Sequence, residues 1–248
     1  MITFMIQARA GSTRLPNKVL LPFFQGKSIL DLLIEKLQHV PNTQIVVATS
    51  CDPQNERIDS ITQKYGVGCF HGSENDVLQR FIDAAEYFYA NKLIRICSDN
   101  PFLELDSIIQ LVKFAETSSK DYISFNIDGK PSIKTHYGFW TEYVTLRALK
   151  QVALMTDDPL YHEHVTNYIY SHPDMFSIGW IKGPRELEGH DHIRLTTDTK
   201  EDFDSVRSIY SDLCKENPFP TIAQIVSYLD AHKEYYGAME KQIVKNSK

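Results

Sequence analysis

Three cations punctuate one short segment, Gln7-Ala-Arg-Ala-Gly-Ser-Thr-Arg-Leu-Pro-Asn-Lys-Val-Leu20. Arg9 and Arg14 offer forked donors suited to phosphate oxygens, and Lys18 offers a mobile point charge. Between them lie Ala8, Ala10, Gly11 and Ser12, small enough to bring backbone N–H groups close to a ligand. No carboxylate lies nearby in sequence to neutralise the charges. The segment lacks the Gly-Lys-Ser/Thr of a Walker loop and the G-x-G-x-x-G of a dinucleotide site. Its residue types suit gripping a small, strongly charged anion. On composition alone, a merely solvated basic loop remains the alternative.

Two acids stand where they can complement such a loop. Asp99 follows an apolar run and precedes Pro101; Asp198 follows a second run at 193–197. Paired carboxylates can hold Mg²⁺ against phosphate oxygens. The alternatives are a turn residue before proline for Asp99, and for Asp198 an N-cap with Glu201 at N3. Asp202 reads as a first-turn acid that complements a helix dipole. The pairs His162/His164 and His190/His192 invite a zinc reading. The first pair falls in an expected helix, however, where positions i and i+2 do not share a face. His164, His192 and Lys134 are instead candidates for the acceptor side of a site, with packing the alternative for His164.

The elements that must position these residues alternate in type. Apolar runs at 3–7, 45–48, 67–70 and 93–97 read as strands, and amphipathic stretches at 28–37, 54–65, 73–87 and 105–117 read as helices. Ser73 is the expected N-cap of the third helix, with Asp76 at N3. This rhythm predicts a parallel, doubly wound α/β sheet, with ligands bound beyond the carboxyl ends of the strands. The loops 8–18, 71–76 and 98–103 should therefore gather on one edge. In the second half, strands are expected at 122–125, 137–141, 176–181 and 193–197. Asp128-Gly129 marks a hairpin turn. Helices are expected at 142–154, 161–171, 200–215 and 220–233. The reading is one domain over 1–236 with a small β-rich insertion, followed by a polar, frayed tail at 237–248.

Charge and composition narrow the partners. The chain has 248 residues and a net charge of −6. Residues 1–30 carry four cations and no acid, so the remainder holds 22 Lys and Arg against all 32 Asp and Glu. One positive segment on an acidic body fits a small anionic ligand and argues against nucleic acid. No apolar run approaches the roughly 20 residues of a membrane helix. The cysteines, Cys51, Cys69, Cys97 and Cys214, form no C-x-x-C pair, and Cys69 and Cys97 read as buried thiols. Cytoplasm is the expected compartment.

The N-terminal segment closely resembles the signature of the cytidylyltransferases that activate acidic sugars, in particular the spore coat polysaccharide biosynthesis protein F branch. Further matches follow in order: His71-Gly-Ser-Glu-Asn-Asp-Val-Leu78, Arg95-Ile-Cys-Ser-Asp-Asn-Pro-Phe102, Glu163-His-Val-Thr166 with Tyr168-Ile-Tyr170, and Leu195-Thr-Thr-Asp-Thr-Lys-Glu-Asp-Phe203. The resemblance spans residues 1 to about 215. It implies a three-layer nucleotide-diphosphosugar-transferase-like fold and transfer of CMP from CTP to an acidic sugar or sugar phosphate, with Mg²⁺ and release of pyrophosphate. It also implies that Arg9, Arg14 and Lys18 grip the triphosphate and that Ala8, Ala10, Gly11, Ser12, Gly72, Ser73 and Glu74 contact the nucleotide. Asp99 and Asp198 would hold the metal. A homodimer is a further implication, with Phe139, Trp140, Tyr168 and Trp180 serving either an interface or the core. Departures from the pattern are His71 in place of the usual Arg, and Ser98 and Asn100 around Asp99. A glycosyltransferase on the related fold is the alternative. Its usual Asp-x-Asp after a strand is missing, since Asp202-Phe203-Asp204 falls in an expected helix. A catalytically silent nucleotide-binding protein is the third reading.

Overall fold

The computed structural model describes residues 1–246. An eight-stranded sheet lies at its centre. Its main strands are β1 (Ile2–Gln7), β2 (Thr43–Ser50), β3 (Gly68–Gly72), β4 (Lys92–Cys97), β5 (Tyr122–Ile127), β6 (Glu142–Thr145) and β7 (Ile178–Lys182). Their spatial order is β7-β5-β6-β4-β1-β2-β3, and the two-residue strand Lys130–Pro131 pairs with β5 through the expected Asp128-Gly129 turn. Both turn residues have positive φ, 48° and 87°, as a tight hairpin requires. β1 is parallel to β2 and β4, β2 to β3, and β5 to β7. β6 runs against both its neighbours.

The strands are apolar on both faces because helices cover both. Along β1, Phe4 and Ile6 belong to one core and Met5 to the other. The first core takes the apolar stripes of α1 (Ile29–Leu37), α4 (Leu105–Thr117), α8 (Lys200–Leu213) and α9 (Ile222–Ala231). The second takes those of α3 (Val77–Tyr87), α5 (Leu146–Met155) and α7 (Asn167–Ser171). Three layers with a mostly parallel sheet result, as expected. Helix α2 (Glu56–Tyr65) ends, as its sequence suggests, on Gly66 at φ 64°.

Several elements differ from the reading of the sequence. No strand forms at 137–141. The ladder starts at Glu142 instead, and the helix expected from 142 starts at Leu146, because Thr145 caps it by accepting from the Ala148 N–H. Residues 193–197 are extended but lie outside the sheet; Leu195 N–H bonds to His136 O, and Thr197 N–H to Asp99 O. The helix expected at 161–171 is two short pieces, α6 (Pro159–Glu163) and α7, interrupted where the Thr166 hydroxyl turns to Glu142. Asp76, not Ser73, caps α3, by accepting from Gln79 N–H. The frayed tail expected from Gly237 is helix α10 (Tyr236–Lys245), anchored by Met239, which is 3% exposed; residues 247–248 lie outside the described residues. Cys69 and Cys97 are half-buried, not buried. No helix among the described residues is long and apolar enough to cross a membrane.

Candidate active site

The parallel ladder places the ends of β1, β2, β3 and β4 at one edge. The loop after β1 is held there from beneath. Asn55, 1% exposed, accepts from Ala10 N–H at 2.9 Å and donates to the Ser50 carbonyl and hydroxyl. The Ser50 hydroxyl donates in turn to Glu74 Oε2 at 2.8 Å. Arg9 Nη1 lies 3.5 Å from Glu74 Oε1. Gly11 lies close against this junction, since a Cβ there would meet Glu74 Oε1 at 3.2 Å and shift that carboxylate by a few tenths of an ångström. The nucleotide-loop candidates Ala8, Ala10, Gly11 and Ser12 thus abut the second loop, Gly72, Ser73 and Glu74.

Lys18 and the two acids converge from three separate segments. The ammonium donates to Thr197 O at 2.8 Å and lies 3.5 Å from Asp99 Oδ2 and 3.7 Å from Asp198 Oδ1. Two bonds join the acid-bearing segments, because Thr197 N–H and its hydroxyl both donate to Asp99 O at 2.9 Å. Asp198 also accepts from Arg14 Nη2 and Arg194 Nη2, each at 2.8 Å. Burial opposes its ionisation, but Lys18, Arg14 and Arg194 together hold its carboxyl below the usual carboxylate range. The alternative role for Asp198, an N-cap with Glu201 at N3, is not realised. Thr199 caps α8, in a capping box closed by Asp202. Asp202 does more than complement a dipole: it takes Arg194 Nε and Nη2 on its two oxygens, both at 2.9 Å.

The donor set fits a hard divalent cation. Asp99 and Asp198 present carboxylate oxygens to a common ammonium, so a cation already balances them at this point. A triphosphate arriving beside Arg14 and Lys18 would compete for those cations and free carboxylate oxygens for a metal ion.

Several residues at this edge were missed from the sequence. Asn55 lies in an unremarkable Pro-Gln-Asn stretch, and nothing marked it. Arg194 is 1% exposed and orders Asp198 and Asp202; its charge inside an apolar run was the available signal. Glu142, opposite Arg95 across the antiparallel ladder, accepts from Arg95 Nη1 at 2.9 Å, from Thr166 at 3.0 Å and from the Tyr122 hydroxyl. Lys134 lies 5.1 Å from the centre of the Tyr170 ring. His164 is exposed at the end of α6, while its neighbour His162 pairs with Asp76 Oδ2 at 2.8 Å. His192 packs edge-on against Tyr236 of α10, and His190 reaches Asp230. The loop cluster therefore unites the triphosphate and metal candidates, whereas His190 and His192 contact the C-terminal helices, through Asp230 and Tyr236. Phe139 and Trp140 are core residues, at 0% and 7% exposure, while Trp180 is exposed.

A doubly wound sheet whose first loop presents Arg14 and Lys18 to a pair of carboxylates, with Arg9 beside Glu74, has the fold and site of a nucleotidyltransferase of the nucleotide-diphosphosugar-transferase type. The family model described as cytidylyltransferase matches residues 3–245. The chain belongs to that family and is a nucleotidyltransferase. It is 31% identical to the spore coat polysaccharide biosynthesis protein SpsF of Bacillus subtilis, over 94% of this chain and 95% of that one. It resembles the structure of a cytidylyltransferase from Leptospira borgpetersenii at 25% identity and TM-score 0.83, covering 94% of this chain and 95% of the other. The fold is also that of a CMP:2-keto-3-deoxy-manno-octonic acid synthetase complexed with CTP, at TM-score 0.64 and 14% identity over 86% and 99% of the two chains.

Proposed function

We propose that this enzyme transfers CMP from CTP to an acidic sugar or sugar phosphate, with Mg²⁺, for the synthesis of a surface polysaccharide or glycan. The observation that carries the reading is the Lys18 ammonium within 4 Å of both Asp99 and Asp198, with Arg14 on the same carboxylate. Family membership supports the cytidylyl group, and the CTP-bound synthetase of the same fold supports the nucleotide.

An acceptor oxygen attacks the α-phosphorus in line. The acceptor O–P bond forms as the bond to the bridging oxygen breaks, and pyrophosphate leaves with that electron pair. Arg9, Arg14 and Lys18 bind the triphosphate and stabilise the charge that grows on pyrophosphate. Ala10, Gly11 and Ser12 pack against the nucleotide, held in place by Asn55. Glu74 stands beside them with a carboxylate that can accept from the cytosine amino group. Asp99 and Asp198 would hold Mg²⁺, which supplies charge neutralisation at the phosphate oxygens. Positioning and electrostatics suffice, so no protein nucleophile is needed. Lys134 and His164 face the acceptor in this reading, with the Arg95–Glu142–Thr166 network as its floor. Two copies form the working unit, with Trp180 at their contact.

A glycosyltransferase is not favoured. The Asp-x-Asp pair lies inside α8, and Asp202 is buried and committed to Arg194 and the helix cap. The deciding experiment offers four nucleoside triphosphates, and separately nucleotide sugars, with a panel of acidic sugars and sugar phosphates, scored by release of pyrophosphate or of nucleoside diphosphate. Pyrophosphate with CTP alone supports the reading. Release of nucleoside diphosphate from a nucleotide sugar would replace it.

A further inference from the structure

The side chains of Asp59, Cys69 and His71 meet outside the nucleotide loops. Asp59 comes from α2. Cys69 and His71 come from β3, the strand at the end of the sheet, where positions i and i+2 share a face. His71 Nε2 lies 2.7 Å from Asp59 Oδ1, Cys69 Sγ lies 3.3 Å from the same oxygen, and Sγ and Nε2 are 3.8 Å apart. We propose that these three side chains form a binding site for a borderline-soft divalent transition metal such as Zn²⁺.

The geometry suits such an ion. With Zn–S near 2.3 Å and Zn–N and Zn–O near 2.0–2.1 Å, a tetrahedral site holds its ligand atoms about 3.3–3.6 Å apart. The observed separations of 2.7, 3.3 and 3.8 Å bracket that range. Small rotations of two side chains open the centre. The histidine is oriented as metal-bound histidines are, because its other nitrogen, Nδ1, donates to the Ser50 carbonyl at 3.2 Å. That bond leaves Nε2 as the ring nitrogen that can bind an ion beside Asp59 and Cys69. The side chains of His71 and Asp59 are 37% and 35% exposed, so an ion can enter and keep a solvent ligand in a fourth position. The donor set of one thiolate, one imidazole and one carboxylate differs from the all-oxygen Asp99/Asp198 pair and selects a different class of metal.

Binding breaks the Cys69 S–H bond, forms a metal–sulfur bond, and sends the proton to solvent. Because the thiol must lose its proton to bind, affinity rises with pH. The ion would lie one residue from the nucleotide loops, since Ser50 accepts from His71 through its carbonyl and donates to Glu74 through its hydroxyl. Occupancy would therefore tie α2 and β3 to the position of Glu74.

Titration of the full chain with Co²⁺, without nucleotide, tests the proposal. One equivalent should produce thiolate-to-cobalt charge-transfer absorption, which the oxygen ligands at Asp99 and Asp198 cannot give, and Zn²⁺ should displace it. Cys69→Ser should abolish the band, His71→Gln should weaken binding at least tenfold, and Cys97→Ser should keep both. Circular dichroism and thermal melting confirm that each variant is folded. A parent chain without the band, or a band that survives in Cys69→Ser, overturns the proposal.

Discussion

At the residue scale, one lysine links the proposed metal and phosphate halves of the site. Lys18 is 13% exposed on its side chain and sits between two carboxylates. Lys18→Ala should lower kcat/KM for pyrophosphate release by about 10²–10³, the usual cost of removing one preorganised charge at a transition state. Asp99→Asn should cause a loss of similar size that added Mg²⁺ does not restore. Full turnover in both variants would falsify the mechanism. Arg194 acts differently, because it is buried and serves Asp198 and Asp202 at once. Arg194→Met leaves both acids short of their partner, and chemical denaturation should show a loss of about 3–5 kcal/mol, typical of a broken buried ion pair. These residues were unequally legible. The loop cations and both acids stood out by type and position, whereas Asn55 and Arg194 take their meaning only from partners distant in sequence or from burial.

At the element scale, the caps decide where side chains point. Thr199, not Asp198, caps α8, and this leaves the Asp198 carboxylate for Arg14 and Lys18. Thr199→Ala should cost about 1 kcal/mol by denaturation and should also weaken turnover, because the capping box orders the residue next to Asp198. Helix α6 is tied to the edge that carries the Gly72–Glu74 loop by His162, bonded to Asp76 at the start of α3 and to the Thr156 carbonyl. Burial disfavours its charged form, but the Thr156 and Asp76 bonds outweigh this and raise its pKa above the ordinary value. A raised histidine stabilises the fold fully below its unfolded pKa of about 6.5 and loses that contribution as pH rises through the folded value. Melting temperature should therefore fall across that window in the parent, and the same step should be missing in His162→Gln. The sequence registered helix periodicity here but not the break at 164–166, because that break satisfies Glu142, which belongs to a strand paired far away in the chain.

At the scale of the whole molecule, the charge asymmetry becomes a location. The cations of the first loop lie at one sheet edge, Arg14 and Lys18 on Asp198 and Arg9 beside Glu74. Nucleotide affinity should fall as salt is added, because a multivalent anion is held there by charge; isothermal titration across salt concentrations would show this, and affinity insensitive to salt would contradict the assignment. The exposed Trp180 belongs to the same scale. Trp180→Glu should shift the sedimentation of the proposed dimer toward the monomer.

The order of strands and helices in the first half, the doubly wound class and the character of the first loop were determined by the sequence alone. They depend on periodicity, turn residues and local charge, all of which act over a few neighbouring positions. Tertiary structure decided the rest. It put β6 antiparallel between β4 and β5, so that Glu142 faces Arg95. It left 193–197 extended without a ladder and bonded Thr197 to Asp99, which sets Asp198 beside Lys18. It turned the supposed tail into a helix whose neighbour Asn246 holds Arg14 at 2.9 Å. It also brought Asp59 to Cys69 and His71. Each of these contacts joins segments whose meeting depends on closure of the whole core, and no local pattern encodes that distance.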